Sequence, residues 1–331
     1  MAALSNTKLT TTAVGNREEL SDVVSRITPE DTPIYSDIGK GSCKTVHPEW
    51  ETDELRAPAA NIQTEGDEYA FNAITPPQRL GNYAQIFRDG FIISRTQNTV
   101  DEAGNVQKVR YQKLKTGVAL RKDVELAIIT NNASVAGATR ELGGLPTWIE
   151  TNVDRGAGGT NGGFDINTGL TVAAGSGAQR AFTKAQLDDV MQQGYEAGAN
   201  FRNVYVSPYV KSVFVTAFVG ASNTAAWRQA VNSGDRNSVI SNADIYEGPF
   251  GKVFVKPNRV MAASAAVARN VFVLDTDMVK FLWLRKLAED KDVARTGDAE
   301  KCIIVGEGTL KVANEAGIGV IADVYGLTAS S

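Results

Sequence analysis

Three side chains carry most of the reactive chemistry in this chain: His47, its single histidine, and Cys43 and Cys302, its two cysteines. With so few imidazoles and thiols, a zinc site would have to be completed by carboxylates. His47, between Val46 and Pro48-Glu49, has the atoms of a general base, yet no nucleophile motif such as Gly-x-Ser-x-Gly accompanies it. It reads as a surface or interface histidine on an exposed ribbon. Two cysteines are far from a disulfide framework, so free thiols in a reducing compartment are expected, with Cys302 packed in an apolar strand. Gly39-Lys40-Gly41-Ser42 ends like a phosphate loop, but Ile34 stands where the upstream glycine is required, so the segment reads as a turn opening a strand. Neither residues 156–163 nor Gly306-Glu307-Gly308 form the strand-turn-helix fingerprint of a dinucleotide site. The reading is a non-enzyme with no cofactor and no metal.

The elements that would position these residues belong to a folded chain of 331 residues, long enough for about two domains. Its 34 Lys and Arg against 38 Asp and Glu leave a net charge of -4, which removes the long-range pull of a nucleic-acid clamp. Residues 1–12 are polar and carry no apolar leader, and no run reaches about 18 apolar residues. A soluble intracellular product without a membrane anchor is expected.

Along the chain, residues 1–39 read as an extended arm: a short helix within 16–24, then Pro29 and Pro33, each disfavouring a helix at the residue before it. Residues 44–55 and 83–94 read as the two strands of a long ribbon with a turn-rich tip. Such a ribbon cannot bury both its faces alone. Residues 98–131 carry the longest helical pattern, with Leu120, Val124, Ala127 and Ile128 in register, a kink expected near Gly104 and a stop at Asn131-Asn132. Ten of the 31 glycines fall within 143–177, which reads as a flexible or tightly turned loop and an internal boundary. Thr183 and Gln186 make a capping box, 204–206 a buried strand, Ser207-Pro208 a helix start, and 209–219 an apolar helix. A hairpin within 244–255, an Ala-rich stretch to Arg269, and strands at 271–274, 279–287, 301–312 and 318–324 follow. In the third of these, Glu307, Thr309 and Lys311 alternate with apolar or small residues, predicting one wet face. Together this is an α+β chain, without a solenoid period.

The residues Ile27 to Tyr35 (ITPEDTPIY), Ile92-Ile93-Ser94-Arg95-Thr96, Arg121-Lys122-Asp123-Val124-Glu125 and Gly143-Gly144-Leu145-Pro146-Thr147-Trp148, in this order and spacing, resemble the major capsid proteins of tailed bacteriophages over nearly the whole chain. The resemblance implies an HK97-like fold: an N-terminal arm (1–39), an extended β-hairpin loop (40–96), a peripheral domain with a long spine helix and the glycine-rich loop (97–180), an axial α/β domain (181–268) and returning peripheral strands (269–331). It implies hexamers and pentamers closing into an icosahedral shell around double-stranded DNA, located in the virion and made in the host cytoplasm. The DNA would be bound without sequence specificity, with a separate scaffold, a portal and, as an open question, decoration proteins as partners. Subunit contacts are expected from Trp50, Ile86, Phe87 and Phe91 as shared apolar surface, with Glu49, Glu51, Arg79 and Arg88 setting register. Lys40 or Lys44 could be nominated for the lysine–asparagine crosslink of some relatives, but no residue pattern requires it and a noncovalent shell is expected. Two alternatives remain: a cellular nanocompartment shell of the same fold, and a soluble α/β metabolic enzyme suggested by strand–helix alternation over 183–219.

Overall fold

The computed structural model describes residues 30–68, 71–100, 108–215, 244–294 and 297–326. The arm helix expected within 16–24, the kink at Gly104 and the end of the apolar helix beyond residue 215 lie outside them. In chain order the structure has helix α1 (Pro33–Asp37), strands β1 (Gly39–Ser42), β2 (Glu49–Thr52), β3 (Gln78–Gly81) and β4 (Gln85–Ser94), and helices α2 (Arg95–Thr99) and α3 (Lys108–Ile129). Short strands β5 (Val153–Asp154), β6 (Gly163–Asp165), β7 (Leu170–Val172) and β8 (Arg180–Ala181) follow, then α4 (Lys184–Glu196), β9 (Asn203–Val206) and α5 (Pro208–Val215). The chain continues through β10 (Ile245–Gly248), β11 (Gly251–Pro257), a short helix Ala265–Ala268, β12 (Val271–Leu274), β13 (Val279–Asp290), β14 (Ala299–Val312), β15 (Ile318–Ile321) and β16 (Val324–Gly326).

Two sheets organise these elements. One has the order β1-β13-β14-β4, the other β10-β11-β9-β12-β15-β5. Side chains alternate across a strand, and the six-stranded sheet uses that period to divide two cores. Val271 and Val273 of β12, with Val204 and Val206 of β9, face Leu187 and Val190 of α4 and Val210 and Phe214 of α5. Phe272, Leu274 and Tyr205, from the same strands, face the other core with Leu120, Val124 and Ile128 of α3. The sequence division at 268/269 therefore cuts through this sheet: β12 and β15, assigned to the peripheral return, pair with β9 and with each other.

Helix α3 buries Thr116, Leu120, Val124 and Ile128, one residue every four, plus Glu125 and Ile129 beside them. That stripe seats 22 residues, about 33 Å of helix, against the body. The helical pattern expected from residue 98 is split, because residues 95–99 form the separate short α2, whose N-cap Ser94 Oγ accepts from Gln97 N. The stop at Asn131 is real and has a job: its Nδ2 donates to Ala174 O (2.6 Å) and its Oδ1 accepts from Ala174 N (2.9 Å).

That reciprocal pair introduces the main departure from expectation. The glycine-rich segment is packed, with Trp148, Leu145 and Ile149 buried. A Cβ at Gly144 would sit 2.0 Å from Thr130 O, and one at Gly156 would sit 1.9 Å from Ala178 O. These glycines are there for close backbone approach rather than for freedom. Likewise the wet face predicted for β14 is covered: Glu307 and Thr309 are buried, and Glu307 is held by Arg140 (2.5 Å) and Arg285 (3.2 Å). The capping box at Thr183 and Gln186, and Ser207 Oγ accepting from Val210 N (3.2 Å), stand as read from the sequence.

Candidate subunit-contact surface

The ribbon begins where two arms meet. Glu49 pairs with Gly81, Trp50 with Leu80, Glu51 with Arg79 and Thr52 with Gln78, and the ladder is extended by Asn82 N donating to Pro48 O (3.3 Å) and Ala84 N to Val46 O (2.8 Å). Period two again sorts the faces. Trp50 and Leu80 turn inward, Trp50 onto Trp148 at 5.6 Å between ring centroids, with Lys311 Nζ 5.4 Å from its ring. Glu49, Glu51 and Arg79 turn outward, and Arg79 Nε lies 3.5 Å from Glu49 Oε1. His47 stacks on Tyr83 at 4.2 Å and its Nδ1 is 3.7 Å from Glu49. Burial pushes its pKa down, opposed by the Glu49 charge. It lies on the ribbon as expected, partly covered by Tyr83.

The root is fastened by one residue that sequence reasoning missed. Fully buried Asn82 donates to Leu310 O (2.8 Å) and Gly143 O (3.2 Å) and accepts from Gly143 N (2.8 Å). Ribbon, glycine-rich segment and β14 thus share a single amide. A buried Asn between two turn-like runs carries no local signal of this kind, because its partners are 61 and 228 residues away.

Beyond the root, the loop 53–77 departs from the body's rules. Leu55, Ile62, Phe71 and Ile74 are 98%, 88%, 95% and 94% exposed. The hydrogen bonds of the described loop residues join near neighbours, such as Gln63 to Asn61 (2.8 Å) and Asp67 N to Thr64 O (3.2 Å). Single exposed apolar residues are ordinary; four large ones within one loop set it apart from the body. The available signal was four large apolar residues among turn formers with no helical or strand period.

The eight residues nominated from sequence fall into two places. Glu49, Trp50, Glu51 and Arg79 do meet on β2 and β3. Ile86, Phe87, Arg88 and Phe91 do not join them: β4 is not the partner of β2 but pairs antiparallel with β14, Phe91 opposite Cys302 and Phe87 opposite Gly306. Trp50 (8% exposed) and Phe87 (5%) are buried in the protomer's own core, so their apolar area is already covered without a neighbour. Ile86 and Arg88 remain exposed on β4, with Phe91 partly covered. Beside Ile86, a groove of about 460 Å³ runs between β4 and α3, lined by Leu120, Leu126, Ala127 and Leu142.

Both cysteines are free, and Cys302 is buried as expected. Among the described residues, no group of three or more His, Cys, Asp or Glu is placed to hold a metal, and no helix is long and apolar enough to cross a membrane.

Comparisons with known proteins agree with this architecture. The chain is 25% identical to the major capsid protein of Escherichia phage Phieco32, with 96% of each chain covered. The fold is shared, at 13% identity, with the capsid asymmetric unit of cyanophage A-1(L) (TM-score 0.64, 97% of this chain and 99% of that one) and with the capsid of a native GTA particle (TM-score 0.60, 96% and 98%). This is the HK97-like α+β capsid fold. With residues 5–325 matching the model of the SU10 major capsid protein family, the chain belongs to that family of phage structural proteins.

Proposed function

We propose that copies of this chain close as hexamers and pentamers into an icosahedral phage head around double-stranded DNA, each extended loop lying across a neighbouring copy. The observation that carries this reading is the loop 53–77, whose Leu55, Ile62, Phe71 and Ile74 have almost no cover in their own protomer. Full burial of such a side chain is worth roughly 1.5–3 kcal/mol, so four of them on a neighbour give a gross gain that dominates a single contact. Ile86 and the groove beside it offer apolar surface of the matching kind. Glu49, Glu51, Arg79 and Arg88 set register at its margins.

The reading assigns the protein a structural role without catalysis, made in the host cytoplasm and ending in the virion. A net charge of -4 suits an inner wall to which DNA does not adhere during filling. Scaffold, portal and motor are then separate chains, and the shell is noncovalent. Membership of a phage capsid family favours a genome container over a nanocompartment for enzymes.

The test replaces residues 55–75 by a short Gly-Ser turn. Thr52 and Gln78 are paired neighbours, so the closure leaves the ribbon root intact. The expected product is a folded subunit that forms no particles under negative stain; normal particles from this variant would overturn the loop's role. Boiling wild-type particles in denaturant should return only monomer on a gel.

A further inference from the structure

The extended loop and the long helix carry opposite charge. Residues 53–77 hold five carboxylates, Asp53, Glu54, Glu65, Asp67 and Glu68, against one cation, Arg56. That balance of -4 equals the net charge of the whole chain. All five carboxylates are exposed. Asp53 and Asp67 each accept from the backbone N–H of the next residue, at 2.9 Å, and among the described residues none of the five enters an ion pair.

Helix α3 is the reverse, with six cations and no carboxylate over residues 108–122. Lys108 is engaged by Gln97 O and Val100 O, and Lys113 by Glu289 at 2.7 Å. Lys115, Arg121 and Lys122 make no ion pair among the described residues. Spacings of three and four place these three on one face with Tyr111, Leu114 and Val118. None of the six is buried, and Leu114 is 66% exposed. One turn on, the same face is covered at Glu125 by α1, whose Ile34 and Tyr35 N–H groups donate to it. What α1 leaves is an apolar strip with basic margins. The loop has the converse make-up, four exposed apolar side chains among carboxylates. The groove beside Ile86 offers apolar area, but its charged lining is Arg88 against Asp123 and Glu141, which does not attract an acidic loop. Lys122 precedes Leu126 of that groove by one turn, so the basic strip borders it and supplies the attraction.

We propose that the outer face of α3, centred on Leu114 and Val118 and edged by Lys115, Arg121 and Lys122, is the seat for the acidic extended loop of a second copy. This rests on the role proposed for the loop above and names the place where it lands. The two surfaces differ and each repels its own kind, so the contact runs head to tail, the arrangement that closes rings. Opposite charge sets orientation and encounter rate, while the apolar strip supplies the area that holds. A DNA backbone would use the three cations but leave Leu114 and Val118 in water.

The experiment follows assembly of full-length subunits by light scattering and negative stain. One variant reverses the seat (Lys115→Glu, Arg121→Glu, Lys122→Glu), another the loop (Glu65→Lys, Asp67→Lys, Glu68→Lys), and a third carries all six changes. Each triple variant should keep the wild-type thermal midpoint and assemble roughly tenfold more slowly or not at all. The sixfold variant should assemble again, as should a mixture of the two triple variants, in which each loop meets an opposite seat on the other. Normal assembly of either triple variant, or recovery in neither the sixfold variant nor the mixture, overturns the seat. Seat-variant particles that form normally but hold less DNA also overturn it, assigning the face to the genome. If the seat variant does not fold, the loop variant, changed only at exposed residues, carries the test. The Gly-Ser closure of residues 55–75 separates the two claims: if it abolishes particles while the charge variants assemble normally, the seat alone is wrong, and if it too assembles, the loop's role falls with it.

Discussion

Residues 53–77 and residues 143–177 are both turn-rich and poor in regular structure, yet they have opposite relations to the body. The second is locked: Gly143, Gly144, Gly156 and Gly177 stand so close to other atoms that no Cβ fits, and Asn131, Asn82 and Ser134 pair with its backbone or side chains. The first holds large apolar groups in water. Glycine content says little about freedom. What separates the two is where the apolar side chains point and whether backbone meets backbone.

Serine at Leu55, Ile62, Phe71 and Ile74 together is the strongest way to break this contrast. Particle formation should vanish, while subunit stability, read by denaturant unfolding, stays within the small range of surface changes, about ±0.5 kcal/mol per site. A large loss of subunit stability would place these side chains in the protomer's own core. On the locked side, Gly156→Ala pushes a methyl against Ala178 O and should cost more than about 3 kcal/mol, seen as a lowered midpoint or insoluble protein.

Glu125 sharpens the comparison with a third kind of fastening, through hydrogen bonds alone. Its Oε1 accepts from Ile34 N (3.0 Å) and Asn258 Nδ2 (2.6 Å), and its Oε2 from Tyr35 N (2.7 Å), pinning α1 to the long helix. Burial raises its pKa to about 7, against the lowering effect of those three donors and with a small further push from Asp37. Asp37 is itself held by Lys256 (2.7 Å) and the Tyr205 hydroxyl (2.6 Å). Between the unfolded value of 4.5 and about 7, the folded state keeps a proton that the unfolded state has released. This group's contribution is thus complete below about pH 4.5 and lost as pH rises through 7, by roughly 3 kcal/mol at most. Glu125→Gln should flatten that slope in urea melts run across this range, at a cost of about 1–2 kcal/mol for the Tyr35 N–H left without its acceptor.

An effect of similar size to that of Glu125→Gln is expected at Gly158. It has φ 82° and open space around it, so Gly158→Ala should cost only the left-handed backbone, about 1–2 kcal/mol. A loss as large as that of Gly156→Ala would mean that the segment is held by dihedral angles rather than by contact.

What the sequence made legible was local. The capping box at Thr183, the start at Ser207-Pro208, the hairpin around Gly248 to Gly251 and the strand at 271–274 follow from neighbours within a few residues, and the structure has them all. Partner choice was not legible. Strand β4 is rich enough in Ile and Phe to pair with either β2 or β14, and only the assembled sheet decides. Alternation at Glu307 and Thr309 truly describes a polar face, but Arg140, from a segment over 160 residues earlier, covers it. Trp50 was legible as an interface aromatic only so long as Trp148 was unknown as its neighbour. Order of motifs, in contrast, survives such ambiguity, which is why family resemblance reached further than residue roles.

The six-stranded sheet between the two cores acts as a party wall. Each of its central strands furnishes rooms on both sides through alternate side chains, Val273 to one and Phe272 to the other. Neither half can be swapped into another chain, or cut away, without stripping the plaster from the half that remains.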